Sequence, residues 1–377
     1  SLAGIYIHIP FCRQACTYCN FHFSTTLGQK AALLNALKEE IILTTQNKLP
    51  GEIIETIYIG GGTPSLLSPQ EIQEILQTVK QNFTVSNDAE FTLEANPDDI
   101  NKDILKQWQQ MGINRLSLGV QSFNEAELQW MNRAHNASQS LQSIDDILSA
   151  RFRNFSVDLI YGSPMLSNED FIENIKMVLS KNIPHVSAYA LTVEPKTALH
   201  SLISRKKSAP VDEARQAEQF DILVTMMEAA GYEQYEISNF ARPGYRSRHN
   251  SSYWQGKAYY GFGPAAHSFD GNNIRRWNIA NNALYIKSIE QKIIPFEEEK
   301  LTLIQQLNER IMISLRTMEG LDLEKVKLNF GENYAETILM NAQKYLDENK
   351  LSISNAKLVL TKEGKFFADG VAAELFF

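Results

Sequence analysis

The segment Ile5-Tyr6-Ile7-His8-Ile9-Pro10-Phe11-Cys12-Arg13-Gln14-Ala15-Cys16-Thr17-Tyr18-Cys19 joins an alternating apolar run to three cysteines spaced CxxxCxxC. They are the only cysteines in 377 residues. An odd, tightly clustered set argues against a disulfide framework and for metal or redox chemistry. Three soft thiolates on one short loop suit an iron–sulfur cluster or zinc, and not a hard cation. A zinc site of Cys₃His type, with His8 or His22 as fourth ligand, is the competing metal reading.

Outward from the cysteines, β-rich runs at 5–10, 56–60, 90–95, 115–120, 156–161 and 186–192 alternate with helical patterns. In Ser68-Pro69-Gln70-Glu71, Ser68 reads as an N-cap, Pro69 as the first helical residue and Glu71 as the partner that completes a capping box. Strand, helix, strand repeated in this way implies a parallel sheet with right-handed crossovers, and six units make an incomplete (β/α)6 barrel. The residues richest in chemistry follow the runs: Gly60-Gly61-Gly62-Thr63-Pro64 after the second, Glu94-Ala95-Asn96-Pro97 after the third and Gln121 after the fourth, with Asp158 inside the fifth. That edge is where barrel and open α/β folds bind ligands. Further on come a helical pattern near 211–231, an aromatic and glycine-rich stretch over 232–277, helices at 304–317 and 333–348, and short strands at 352–353 and 357–360. The expected organisation is α/β: a barrel over 1–200, an extension over 201–295 and a C-terminal α+β, winged-helix-like domain over 296–377.

The chain is 44% hydrophobic and 21% charged, which suits a large buried core. Its 36 Lys and Arg against 44 Asp and Glu give a net charge of −8, with no reserve of positive charge for a nucleic-acid backbone. The apolar runs fall short of the roughly 20 residues a membrane span needs, and no basic region leads into a signal-type core. A cytoplasmic protein is expected.

The CxxxCxxC loop resembles the signature of the radical S-adenosylmethionine superfamily. There, three thiolates leave one iron of a [4Fe–4S] cluster open to the amino and carboxylate groups of S-adenosylmethionine. Residues 5–12, 60–65, 115–123, 158–164 and 189–195 resemble the oxygen-independent coproporphyrinogen III oxidase family, and within it the heme-chaperone branch. Three features point to that branch. Phe21 stands where the oxidase carries a fourth cysteine, eleven residues precede Cys12, and His249-Asn250-Ser251-Ser252-Tyr253-Trp254 matches the branch's HNxxYW motif. Lys196 departs from the pattern, which has glycine after Glu194-Pro195. The resemblance implies Cys12, Cys16 and Cys19 as cluster ligands. It further implies Tyr6, Tyr18, Gly61, Gly62, Thr63, Glu94, Gln121, Arg133, Asp158 and Ala190 as contacts of S-adenosylmethionine.

Physical chemistry independently singles out His249, since an imidazole can ligate heme iron and flat rings such as Tyr253 and Trp254 can cover porphyrin. His267 is the alternative ligand. The expected function is binding of heme and its transfer to respiratory or storage hemoproteins. The alternative is an enzyme that oxidatively decarboxylates the propionates of coproporphyrinogen III.

Overall fold

The computed structural model describes residues 1–12, 28–48, 50–192 and 212–377. Cys16, Tyr18, Cys19 and His22 lie outside the described residues.

All six expected strands form: β1 (Leu2–Ile9), β2 (Ile53–Gly61), β3 (Thr84–Ala95), β4 (Arg115–Gln121), β5 (Asn154–Tyr161) and β6 (His185–Ala190). They pair in parallel in chain order. The helix Pro69–Asn82 starts with the expected capping box, Ser68 and Glu71 each bonding the other's backbone N–H.

Alternation along the strands explains both the core and the site. Ile5, Ile7, Ile9, Ile57, Ile59, Leu93, Leu116, Leu118 and Val157 point outward and are sealed in the core under the helices. The residues between them are mostly polar: Tyr6, His8, Thr56, Tyr58, Glu90, Thr92, Glu94, Arg115, Ser117 and Asp158. A parallel sheet covered on both faces normally reads as continuous apolar strands. Here the inner face is reserved for chemistry.

The stretch after residue 230 adds sheet that the sequence pattern does not reveal. Strands β7 (Glu233–Glu236) and β8 (Asn239–Ala241) extend the β6 edge, while β9 (Ala258–Phe262), β10 (His267–Phe269), β11 (Ile274–Asn278) and β12 (Phe296–Lys300) extend the β1 edge. The result is a twelve-stranded sheet with β9 parallel to β1. Its edge strand β12 carries Glu297, Glu298, Glu299 and Lys300, charges that discourage another chain from pairing there.

A second core gathers Leu307, Ile311, Leu315, Leu321, Ile338 and Leu358. It is built from the helices Leu303–Leu315, Leu323–Phe330 and Glu332–Asp347 with a three-stranded sheet of β13 (Leu321–Asp322), β15 (Lys357–Leu360) and β14 (Leu351–Ser354). Ile237 packs on both cores, and Arg316 bridges them, its Nε 2.9 Å from Glu236 and its Nη1 2.9 Å from Asp369. Among the described residues no helix is long and apolar enough to cross a membrane.

Candidate functional site

At the C-terminal edge of the sheet, the glycine run presses against the backbone that leads into the cysteine loop. Gly62 N donates to Ile9 O at 2.8 Å and Thr63 N to Phe11 O at 2.7 Å. Gly61 has a φ of +124°, and a Cβ there would lie 2.6 Å from Ile9 O. At Gly62 a Cβ would lie 2.4 Å from Phe11 O and 2.8 Å from Cys12 Sγ. Only glycine permits this approach. Gly62→Ala is therefore expected to destabilise the chain by about 1–3 kcal/mol and to displace Cys12. Thermal denaturation and iron retained after anaerobic reconstitution would measure the two effects.

The polar side chains of this edge form one connected set. Thr63 Oγ1 lies 3.7 Å from Cys12 Sγ and accepts from Asn96 Nδ2 at 3.3 Å. Arg133 donates to Asn96 Oδ1 at 3.1 Å and to Gly119 O at 3.0 Å. Glu94 accepts from Gly61 N at 3.0 Å and from Tyr58 OH at 2.6 Å. Burial, reinforced by the neighbouring Glu94 carboxylate, pushes the Asp158 carboxyl up to about 7, against the pull of Arg115 and Arg133. Gln121 takes a left-handed φ of +68° where β4 loses register with β5. Strain of this kind in a non-glycine residue concentrates at functional sites. Ala190 ends β6 beside Tyr161. Tyr6 lies on the inner face, with its hydroxyl 3.0 Å from His8 Nδ1.

His249 sits at the opposite end of the inner face. Its helix, Arg248–Trp254, is anchored by Glu90, whose carboxylate accepts from Arg248 N at 2.9 Å and His249 N at 3.0 Å. The imidazole Nδ1 is 2.8 Å from Thr56 Oγ1, and the ring stacks on Tyr58 at 5.2 Å. Burial pushes its pKa down to about 4, with Arg115 contributing in the same direction, so the ring is neutral at pH 7. A cavity of about 490 Å³ opens on this ring and is also lined by Gly4, Tyr58, Tyr253, Tyr259 and His267. Both candidate histidines thus face one space, of the size usual for ligand pockets. From His249 a series of rings runs along the inner face toward the cysteine end: Tyr58, then Tyr6 stacked on it at 6.0 Å, then His8.

The two motif aromatics do not act on one face. Tyr253 lines the His249 cavity, whereas Trp254 lines a separate cleft and packs against Tyr235 at 5.8 Å. This corrects the expectation that both cover one ligand. The motif lies on a helix, where successive side chains diverge by about 100°.

Thr56, Tyr58 and Glu90 serve this cavity without any motif to announce them. Nor does the sequence single out Glu40, which is buried and accepts from Gly263 N at 2.9 Å, Asn278 Nδ2 at 2.9 Å and Tyr285 OH at 2.7 Å. It fixes the turn between β9 and β10 that carries Ala265 and Ala266 into the cavity wall. Glu40→Ala is expected to cost about 3–5 kcal/mol, since three buried donors lose their acceptor. Burial pushes this carboxyl up to about 7 from 4.5, against the three hydrogen bonds. Between those two values the folded chain holds a proton that the unfolded chain releases, so this group's contribution to stability declines as pH rises through that window. Glu40→Gln should flatten that slope in denaturation curves measured across the window.

The chain matches the Radical SAM superfamily over residues 6–178 and the HemN C-terminal domain over residues 301–367. It is 33% identical to the heme chaperone HemW of Bacillus subtilis over 98% of each chain. It is 37% identical to the heme chaperone HemW of Escherichia coli over 70% of this chain and 69% of that one. Among solved structures, coproporphyrinogen III oxidase (HemN) from Escherichia coli is similar with a TM-score of 0.86 at 22% identity, over 100% of this chain and 90% of that one, a likeness of fold.

Proposed function

This chain belongs to the HemW family within the radical SAM superfamily, and on that premise we propose that it binds heme at His249 and passes it to heme-requiring acceptor proteins. The observation that carries the reading is the state of His249. Its ring is neutral, and Thr56 engages Nδ1. No described residue bonds Nε2, so with the Nδ1 proton on Thr56 Oγ1 that nitrogen offers its lone pair to iron in a cavity walled by Tyr58, Tyr253 and Tyr259.

The superfamily implies a [4Fe–4S] cluster and S-adenosylmethionine. The residues at the cysteine end fit them: a backbone cradle closed to any Cβ at Gly61 and Gly62, a guanidinium at Arg133, and carboxyls at Glu94 and Asp158 whose pKa desolvation raises. Cys12, with Cys16 and Cys19 of the motif, would hold the cluster. Gly61, Gly62, Thr63, Glu94, Gln121, Arg133 and Asp158 would hold S-adenosylmethionine, with Tyr6, Tyr18 and Ala190 beside it. Bound there, the pair supplies one-electron chemistry. The protein's own part is to position ammonium and carboxylate groups against Glu94, Asp158 and Arg133, with the stacked Tyr58 and Tyr6 on the inner face between that site and His249. Thiolates kept as ligands suit a reducing compartment, so the proposal places the protein in the cytoplasm.

The test is transfer. Heme-loaded protein mixed anaerobically with a heme-free b-type hemoprotein is expected to lose its heme absorption as the acceptor's rises. In parallel, coproporphyrinogen III under reducing conditions with S-adenosylmethionine is expected to remain unconverted. Turnover of that porphyrinogen without heme transfer would establish the decarboxylase instead.

A further inference from the structure

The cleft that Trp254 faces has the chemistry of a binding site in its own right. It lies between the helix Arg248–Trp254 and the C-terminal core, with a volume of about 450 Å³. Its floor is apolar, with Leu321 and Val326 each 1% exposed, and its rings are Tyr235, Trp254 and Phe330. Four cations line it, Arg246, Arg310, Lys325 and Lys357, against two carboxylates, Glu319 and Asp322. Glu319 is spent on Arg246 at 2.7 Å, and Asp322 caps the helix Leu323–Phe330 through Glu324 N and Lys325 N. Arg310, Lys325 and Lys357 make no ion pair with any described residue. In a chain of net charge −8, a lining of four cations to two carboxylates around an indole and a phenyl ring calls for an anion.

We propose that this cleft binds a flat, ring-bearing carboxylate or phosphate, the ring lying against Trp254 and Phe330 and the anionic group reaching Arg310, Lys325 and Lys357. The site is distinct from the His249 cavity, which opens on the other side of the same helix, and it does not depend on the heme reading. Occupancy of the cleft bears on that helix directly. Trp254 packs on Tyr235, and the Tyr235 hydroxyl accepts from Ser247 N, the N-cap of the helix, at 3.1 Å.

Isothermal titration of the full chain with two probes tests the site: naphthalene-2-carboxylate, a ring carboxylate that is not a porphyrin, and AMP, a ring phosphate. At least one is expected to bind, with affinity falling about tenfold or more in Arg310→Glu, Lys325→Glu and Trp254→Ala and unchanged in His249→Ala. Which probe binds decides between carboxylate and phosphate. Lys325 is exposed, so its reversal provides a variant whose fold is not at risk. The proposal is overturned if neither probe binds, or if binding survives all three cleft variants.

Discussion

Cys12→Ala is expected to abolish cluster assembly, lowering iron from about four per chain to near zero after anaerobic reconstitution. The argument starts from the motif, because three thiolates are the minimum that holds a cubane with one iron open. The structure then shows how firmly Cys12 is placed. Its sulfur lies 3.7 Å from Thr63 Oγ1 and would be 2.8 Å from any Cβ on Gly62, so the glycine run fixes its place. Iron and zinc analysis, with the visible absorption of the reconstituted protein, reads the outcome. Zinc bound in place of iron in wild type would mean a Cys₃His site. Iron retained by the variant would mean that Cys12 is not a ligand.

His249→Ala is expected to weaken heme binding about tenfold or more, or ~1.4 kcal/mol at least, and to remove the absorption signature of axial imidazole. Thr56→Val should fall between wild type and this variant, because it keeps the imidazole and removes only the 2.8 Å contact that orients it. Because burial depresses the His249 pKa to about 4, coordination should persist through mildly acidic pH and fail only as pH drops toward that value. An anaerobic heme titration followed optically measures all three. If His249→Ala binds like wild type while a His267→Ala variant does not, the iron ligand is His267, which faces the same cavity.

Much of the barrel was legible because its signals are local. Ile5, Ile7 and Ile9 alternate with polar residues, Ser68 and Glu71 punctuate a helix start, and cysteines, glycines or acids end the strands, so order and direction follow from short-range rules. The strands between residues 230 and 300 gave no such signal. Those added to the β1 edge, such as Ala258–Phe262 and Ile274–Asn278, are short, and Phe296–Lys300 is exposed at every position. Their pairing is decided by the edge they meet, not by their own alternation.

The site divides along the same line. By itself the sequence determined the cysteine cluster, the strand-end carboxylates, the glycine cradle and the motif histidine, because each is a residue type whose chemistry needs no neighbour to be recognised. Only the tertiary structure decided that His249 rests on Thr56 and Tyr58, 193 and 191 positions earlier in the chain, that Glu40 ties down the cavity wall from 223 positions away, and that Tyr253 and Trp254 serve different spaces. Those facts depend on which strands become neighbours and which way a helix turns its side chains, and both are set by packing across the whole chain.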